Sequence, residues 1–374
     1  MSTYVDIHVI QSLPPSCVNR DDSGSPKSAV YGGVRRLRVS SQSWKRAARL
    51  YFNNLLDASD VGVRTKRVAE LLAARITEDA PDLAESASNL VGEVFKAAKI
   101  KLSAPRKKDG PLESGYLLFL STSQIARLAE LAIAAARGGE ALDAKAVKKI
   151  FKEAHAVDIA LFGRMVADNT DLNIDAACQV AHAISTHAAE NEYDFFTAVD
   201  DEKSRSEEED AGAGMMGTVE FSSATMYRYA TVNVDLLRHN LGDSEATLRA
   251  LEVFVRGFCL SMPTGKQNTF ANRTVPEAVV VAVREDQPVS LAGAFEEAVP
   301  AQGAHGYVAR SVEALARHAA TIEDNYGLEP LRSFVVALTD SNAVASLGER
   351  VSFTDLPERV REVVAPRLPG QEQA

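Results

Sequence analysis

Residues 58–189 carry an almost unbroken helical pattern, and segments that read as β-strands flank them on both sides. The runs VAELLAARI, LAESASNLVGEVFKAAKI, TSQIARLAELAIAAA, AKAVKKIFKEA and ACQVAHAISTHAA are rich in Ala and Leu, with apolar residues recurring at the 3.6-residue period of a helix face. Before this block, Val5, Ile7 and Val9 alternate with Asp6 and His8, which predicts a half-buried strand over 3–12. VRRLRVS predicts a second strand, with Val34, Leu37 and Val39 as its apolar members. After the block come an extended run, VEFSSATMYRYATVNVDLL, an amphipathic helix, SEATLRALEVFVRGFCLSM, and the strand EAVVVAVRED. A helix over 308–320, a strand in PLRSFVVALTD and a terminal helix in PERVREVVAPRL close the chain. A helical block set inside a strand-bearing chain reads as an insertion. Without it the order is β–loop–β–α … β–α–β, so the expected class is α+β, an antiparallel sheet of the ferredoxin or RNA-recognition type.

The chain is 374 residues long, enough for two to three folding units at about 150 residues each. With 46% hydrophobic and 25% charged residues it is an ordinary globular sequence. No apolar run reaches the roughly 18 residues that a membrane helix needs. MSTYVDIHV has neither a basic start nor an apolar stretch, so export is not expected and a cytoplasmic location is. Cys17, Cys178 and Cys259 are odd in number and far apart, which argues against a disulfide framework or a structural zinc site.

The net charge of −10 speaks against nucleic acid only as an average. From Asn19 to Arg49 there are eight bases, with Asp21 and Asp22 as the sole acids, a surplus of six positive charges. From Asp200 to Asp210 the surplus is five negative charges. Such a chain can hold a polyanion on one face and repel it elsewhere.

Within the basic segment Ser40 or Ser41 caps a helix through SQSWKRAARLYF, on which Trp44, Ala47, Ala48 and Tyr51 form a core stripe. Lys45 and Arg49 pair on a neighbouring face. Arg20, Lys27, Ser40, Gln42, Lys45 and Arg49 are the strongest candidate set. Arg and Lys neutralise phosphates, Ser and Gln donate neutral hydrogen bonds, and a helix N-terminus adds its dipole. Contacts of this kind read backbone rather than sequence. Phe195, Phe196 and Thr197 follow the helical block; one ring belongs to the core and the other is placed to stack on a base. Lys266 lies in the turn-rich PTGKQNTFA loop as an exposed donor.

Other patterns fail on context. Gly212, Gly214 and Gly217 spell G-x-G-x-x-G, but an acidic loop precedes them and a strand follows, so they read as a flexible hinge. Gly265-Lys266 lacks the first glycine and the Ser/Thr of a phosphate-binding loop. His182 and His187, five apart, do not share a helix face and suit capping rather than zinc. Asp21 and Asp22 are the one catalytic candidate, as carboxylates that could hold Mg²⁺ beside a phosphodiester in a single-strand endoribonuclease.

The segments IHVIQSLPPSCVNRDD, YGGVRRLRVSSQSWKRAAR, DFFTAVDD, GAGMMGTVEFSSATMYRYA and PTGKQNTFA, in this order from about residue 4 to 280, together resemble the CasC-type backbone subunits of the type I-E CRISPR surveillance complex, Cascade. The resemblance implies a modified RNA-recognition palm over 1–57 and 226–374, helical fingers over 58–189 and a β-hairpin thumb over 190–225. It implies a scaffold without catalysis, cofactor or metal. Copies would stack head to tail on a guide RNA (crRNA), expose its bases to a target DNA strand and meet the large, small and end-capping Cascade subunits. It assigns the guide backbone to Arg20, Lys27, Ser40, Gln42, Lys45 and Arg49. Met165, Phe195, Phe196 and Thr197 would pack near a kink in the RNA. Phe195 departs from relatives that carry Trp, which leaves a smaller stacking surface.

Overall fold

The computed structural model describes residues 2–104, 111–198, 215–301, 303 and 305–369. The acidic run 200–210, Gly212 and Gly214 lie outside the described residues. The strands are β1 (Tyr4–Ser16), β2 (Ser28–Tyr31), β3 (Val34–Val39), β4 (Gly62–Thr65), β5 (Leu102–Ser103), β6 (Glu113–Ser114), β7 (Leu118–Ser121), β8 (Cys178–Val180), β9 (Ala183–Ser185), β10 (Glu192–Ala198), β11 (Met215–Asn233), β12 (Ala278–Arg284), β13 (Arg332–Ala337) and β14 (Glu349–Arg350). The helices are α1 (Ser41–Phe52), α2 (Val68–Asp79), α3 (Ala87–Ala97), α4 (Thr122–Gly138), α5 (Ala144–Lys152), α6 (Val157–Phe162), α7 (Val234–Leu241), α8 (Ser244–Leu260), α9 (Gln267–Phe270), α10 (Val308–Tyr326), α11 (Asn342–Ser346) and α12 (Leu356–Val364).

One sheet runs β14-β13-β12-β1-β11-β9-β3-β2, with antiparallel neighbours except the parallel pair β13 and β14. β1 is central. It pairs with β11 from Tyr4↔Asn233 to Leu13↔Ala224, and with β12 from Tyr4↔Arg284 to Ile10↔Ala278. Period-two alternation sends Val5, Ile7 and Val9 into a core with Phe52 of α1 and Phe254 of α8. The opposite face, with Ile10, Tyr229 and Val280, is covered by Phe295 and by Leu315 of α10.

That second covered face corrects the expectation of a half-buried strand. Asp6 and His8 are fully enclosed rather than solvated. Their polar atoms find partners in the neighbouring strands and in the segment after β12. Asp6 accepts from the Tyr229 hydroxyl at 3.0 Å, Arg284 Nε at 3.1 Å and the Val289 N–H at 2.9 Å. His8 Nδ1 lies 2.9 Å from the Tyr227 hydroxyl, and burial pushes its imidazole pKa down to about 3.

The helical block has its own core around Leu72, Val94, Phe95, Leu128 and Phe151, with the short pairs β4–β7 and β5–β6 inside it. Its helices end with α6. The run 177–189, expected as helix, is extended: β8 pairs with Ala230–Val232, and β9 bridges β11 to Arg38 and Val39 of β3. Alanine is the best helix former, but helix propensity is a small preference per residue, and pairing of two three-residue strands in an established sheet outweighs it. No helix among the described residues is long and apolar enough to cross a membrane.

Candidate nucleic-acid interface

α1 is built as expected at its start and along its core stripe. Ser40 Oγ accepts from the Ser43 N–H at 3.3 Å as the N-cap, and Trp44, Ala47, Ala48 and Phe52 are buried. The Arg228 guanidinium stacks 3.7 Å over the Trp44 ring and so fixes the helix onto β11. The stripe ends on Phe52 where the sequence suggested Tyr51, which is half-buried.

The opposite side of α1 borders a hollow of about 880 Å³ that brings together Gln42, Lys45, Arg46, Arg49, Arg64 and Met165. Lys45 Nζ stands 5.7 Å from the Phe162 ring centroid, a cation over an aromatic face. Among the described residues neither Lys45, Arg46 nor Arg64 meets an acidic side chain at ion-pair distance. Met165 is 75% exposed on the rim. The buried Arg164 beside it holds the loop by donating to the carbonyls of Leu172, at 2.9 Å, and Phe151, at 2.6 Å. Burial lowers the Arg164 pKa to about 10, which leaves it a cation.

Arg49 plays a different part. Its Nε donates to Asp158 Oδ2 at 3.1 Å, and its guanidinium lies 4.4 Å from the Phe119 ring centroid. Asp158 is fully buried, and its other oxygen accepts from the Gly62 N–H at 2.9 Å. Burial raises the Asp158 pKa while Arg49 and the Gly62 N–H pull it back. Arg49 therefore ties α1 to the helical block. Arg46 and Arg64, which sequence reasoning passed over, supply open charge in its place. Arg46 was visible as Gln42 plus four on the same helix face; Arg64 had no local signal.

The remaining candidates lie apart. Ser40 is 6% exposed, with its hydroxyl occupied as a cap. His182 Nδ1 accepts from the Ser41 N–H at 3.3 Å, the capping use expected of it, although from a strand connection and not a helix. Lys27 is tied through its main chain to Asn19 and Arg38. Arg36, counted in the basic surplus, is completely buried and donates to the carbonyls of Tyr31, Ser185, Phe295 and Glu296.

Arg20, Asp21 and Asp22 line a shallow depression with Gly265, next to Lys266. Asp21 Oδ1 accepts from the Ser23 N–H, the Ser23 hydroxyl and the Ser25 N–H, and these bonds, the hydroxyl first, lower its pKa. Among the described residues no three His, Cys, Asp or Glu side chains gather as a metal-ligand set.

Phe195, Phe196 and Thr197 sit on β10, the arm paired with β11 as Phe195↔Thr218, Phe196↔Gly217 and Thr197↔Met216. Phe195 is 65% exposed. Phe196 lies across Gly217, where a Cβ would come within 2.7 Å of its ring. Gly217 is thus a seat for an aromatic ring within a strand, which replaces its expected use as a hinge.

A sheet with helices on both faces and a helical insertion make this an α+β protein, with a basic hollow beside its first helix. A family model, CT1975-like protein, matches residues 5–359, and the chain belongs to that family. Over 96% of its length it is 37% identical to a chain of "CRISPR RNA-guided surveillance complex, pre-nicking", with TM-score 0.86 and 99% of that chain covered. A chain of a second structure, "CRISPR RNA-guided surveillance complex", matches over the same shares at 32% identity and TM-score 0.76. No curated protein matches. The resemblance to Cascade backbone subunits that the sequence motifs carry is borne out, and the chain has the fold of a CRISPR surveillance-complex subunit.

Proposed function

We propose that this chain is the backbone subunit of a type I-E Cascade: it grips the phosphates of a guide RNA without reading its sequence and leaves the bases to a target DNA strand. The observation that carries the reading is the hollow beside α1, where Lys45, Arg46 and Arg64 offer charge and Gln42 a neutral donor. Cations and a neutral donor gathered at one hollow suit a phosphate backbone. The order β12-β1-β11-β9, with α1 and α8 packed on one face, supports an RNA-recognition palm. The β10–β11 arm, carrying an exposed Phe195, suits a thumb that reaches RNA held by a second copy. Head-to-tail stacking, the other Cascade subunits as partners and a cytoplasmic setting belong to the same reading.

The subunit acts by holding, not cutting. Asp21 spends one carboxylate oxygen on Ser23 and Ser25, which disfavours a metal-dependent ribonuclease at Asp21 and Asp22. Incubating the protein with two unrelated guide-length RNAs, with and without Mg²⁺, tests both halves. Equal binding and intact RNA are expected. Cleavage that requires Mg²⁺ and disappears in Asp22→Asn would make the protein an enzyme.

A further inference from the structure

Met165 stands exposed on the rim of the α1 hollow between two enclosed neighbours, Arg164 and Val166. A single exposed apolar side chain needs no explanation. The construction around this one does.

The segment from Gly163 to Ile174 is closed at its neck, where the Arg164 N–H donates to the Ile174 carbonyl at 3.0 Å and the Ile174 N–H to the Arg164 carbonyl at 2.9 Å. Gly163 makes the neck possible. Its φ is 75°, and a Cβ there would lie 2.7 Å from the Ile174 carbonyl oxygen. Inside the loop the Val166 N–H donates to Asn173 Oδ1 at 2.6 Å, and the Asn173 N–H donates to the Thr170 carbonyl at 3.0 Å. Its far side is anchored to the helical block. Asn169 Nδ2 donates to the Ala98 carbonyl at 2.9 Å, and the Lys101 N–H donates to Asp168 Oδ2 at 3.1 Å. The Arg164 guanidinium reaches the Phe119 carbonyl at 3.4 Å as well as those of Leu172 and Phe151. A buried guanidinium spent on main-chain carbonyls of three elements fixes shape at the cost of desolvating a charge.

We propose that this segment is a preformed holder for Met165, with Arg164 and Asn173 as positioning residues that fix the thioether at the hollow before RNA arrives. A contact held in place beforehand loses little freedom on binding, so loosening the holder weakens binding without removing any atom that touches RNA. The role rests on the phosphate-gripping reading above, because Met165 shares its hollow with Lys45 and Arg64. Asn173 lines the same hollow, so the test has to separate positioning from direct contact.

The test uses the full chain and a guide-length RNA, with affinity read by fluorescence anisotropy and amide exchange followed by NMR. The Val166 amide should be protected without RNA. Asn173→Ala should speed its exchange and leave the melting temperature nearly unchanged, since Asn173 is exposed. Met165→Ala should weaken RNA binding about threefold to tenfold, the loss of one modest contact. Asn173→Ala should cost about threefold when Met165 is present and nothing further in the Met165→Ala background. Arg164→Lys should show the same dependence on Met165; if it unfolds the helical block, Asn173→Ala alone decides. A Val166 amide that gains protection only when RNA is added would overturn the preformed holder. A penalty for Asn173→Ala that persists in full without Met165 would make Asn173 an RNA contact instead. A silent Met165→Ala, or a silent Asn173→Ala despite faster exchange at Val166, would leave nothing to position. If Lys45→Ala is silent while the Met165 and Asn173 variants behave as expected, the α1 groove reading fails and the holder stands.

Discussion

Replacing Arg49 by alanine should damage the fold more than the grip on RNA. Asp158 is fully buried, and its carboxylate depends on Arg49 Nε and the Gly62 N–H. Removing one member of a buried pair costs about 3–5 kcal/mol. The 20% exposure of the Arg49 side chain brings the expected loss to about 2–4 kcal/mol. For a chain of this length that lowers the thermal midpoint by roughly 3–5 °C.

The deficit should depend on pH. Burial already raises the Asp158 pKa, and without Arg49 it rises further. Below the unfolded carboxylate pKa, about 4, both states are protonated and no penalty exists. As pH climbs through the window up to the folded pKa, only the unfolded state ionises freely, and stability is lost. Thermal melts of R49A and wild type should therefore converge toward pH 4 and separate at neutral pH. Adding Asp158→Asn, which keeps the acceptor for Gly62, should restore most of the loss. If R49A melts like wild type at neutral pH and instead loses RNA affinity as Lys45→Ala does, Arg49 is a phosphate contact and the tether argument is wrong.

Two other expectations follow from the enclosed groups. His8 stays neutral in the fold, with its pKa lowered to about 3, while the unfolded chain takes up a proton below about 6.5; the fold should lose about 2 kcal/mol through this residue by pH 5. His155, lowered to about 4, acts in the same direction, and both imidazole NMR signals should stay in their neutral positions from pH 7.5 to 5. Gly217→Val would set a Cβ against the Phe196 ring. Limited proteolysis should then cut faster within 192–198, whereas an unchanged digest would show that Phe196 does not depend on that seat.

The sequence carried the local patterns well. The alternation of Val5, Ile7 and Val9 and the Trp44–Ala47–Ala48 stripe each belong to one element; the strand and the stripe came out as read, while the burial of the strand's second face did not. What it missed depends on distant partners. Nothing near Arg36 signals the Ser185, Phe295 and Glu296 carbonyls that bury it, and Asp158 lies 109 residues from Arg49. The 177–189 run looked helical because alanine spacing is compatible with a helix, while its strand state is imposed by β11 and β3. The candidate site divided along the same line. Gln42, Lys45 and Arg49 share a hollow because they share a helix, whereas Arg64 enters it from another element.

The central claim is that the charge beside α1 holds RNA by its phosphates. Its most direct test is the dependence of RNA affinity on salt for wild type and for Lys45→Ala/Arg46→Ala. Each phosphate contact on a single strand contributes about 0.7 to the slope of log K against log salt. The double variant should lose about 1.4 from that slope, equally for two unrelated RNA sequences. An unchanged slope, or a loss confined to one sequence, would contradict the account.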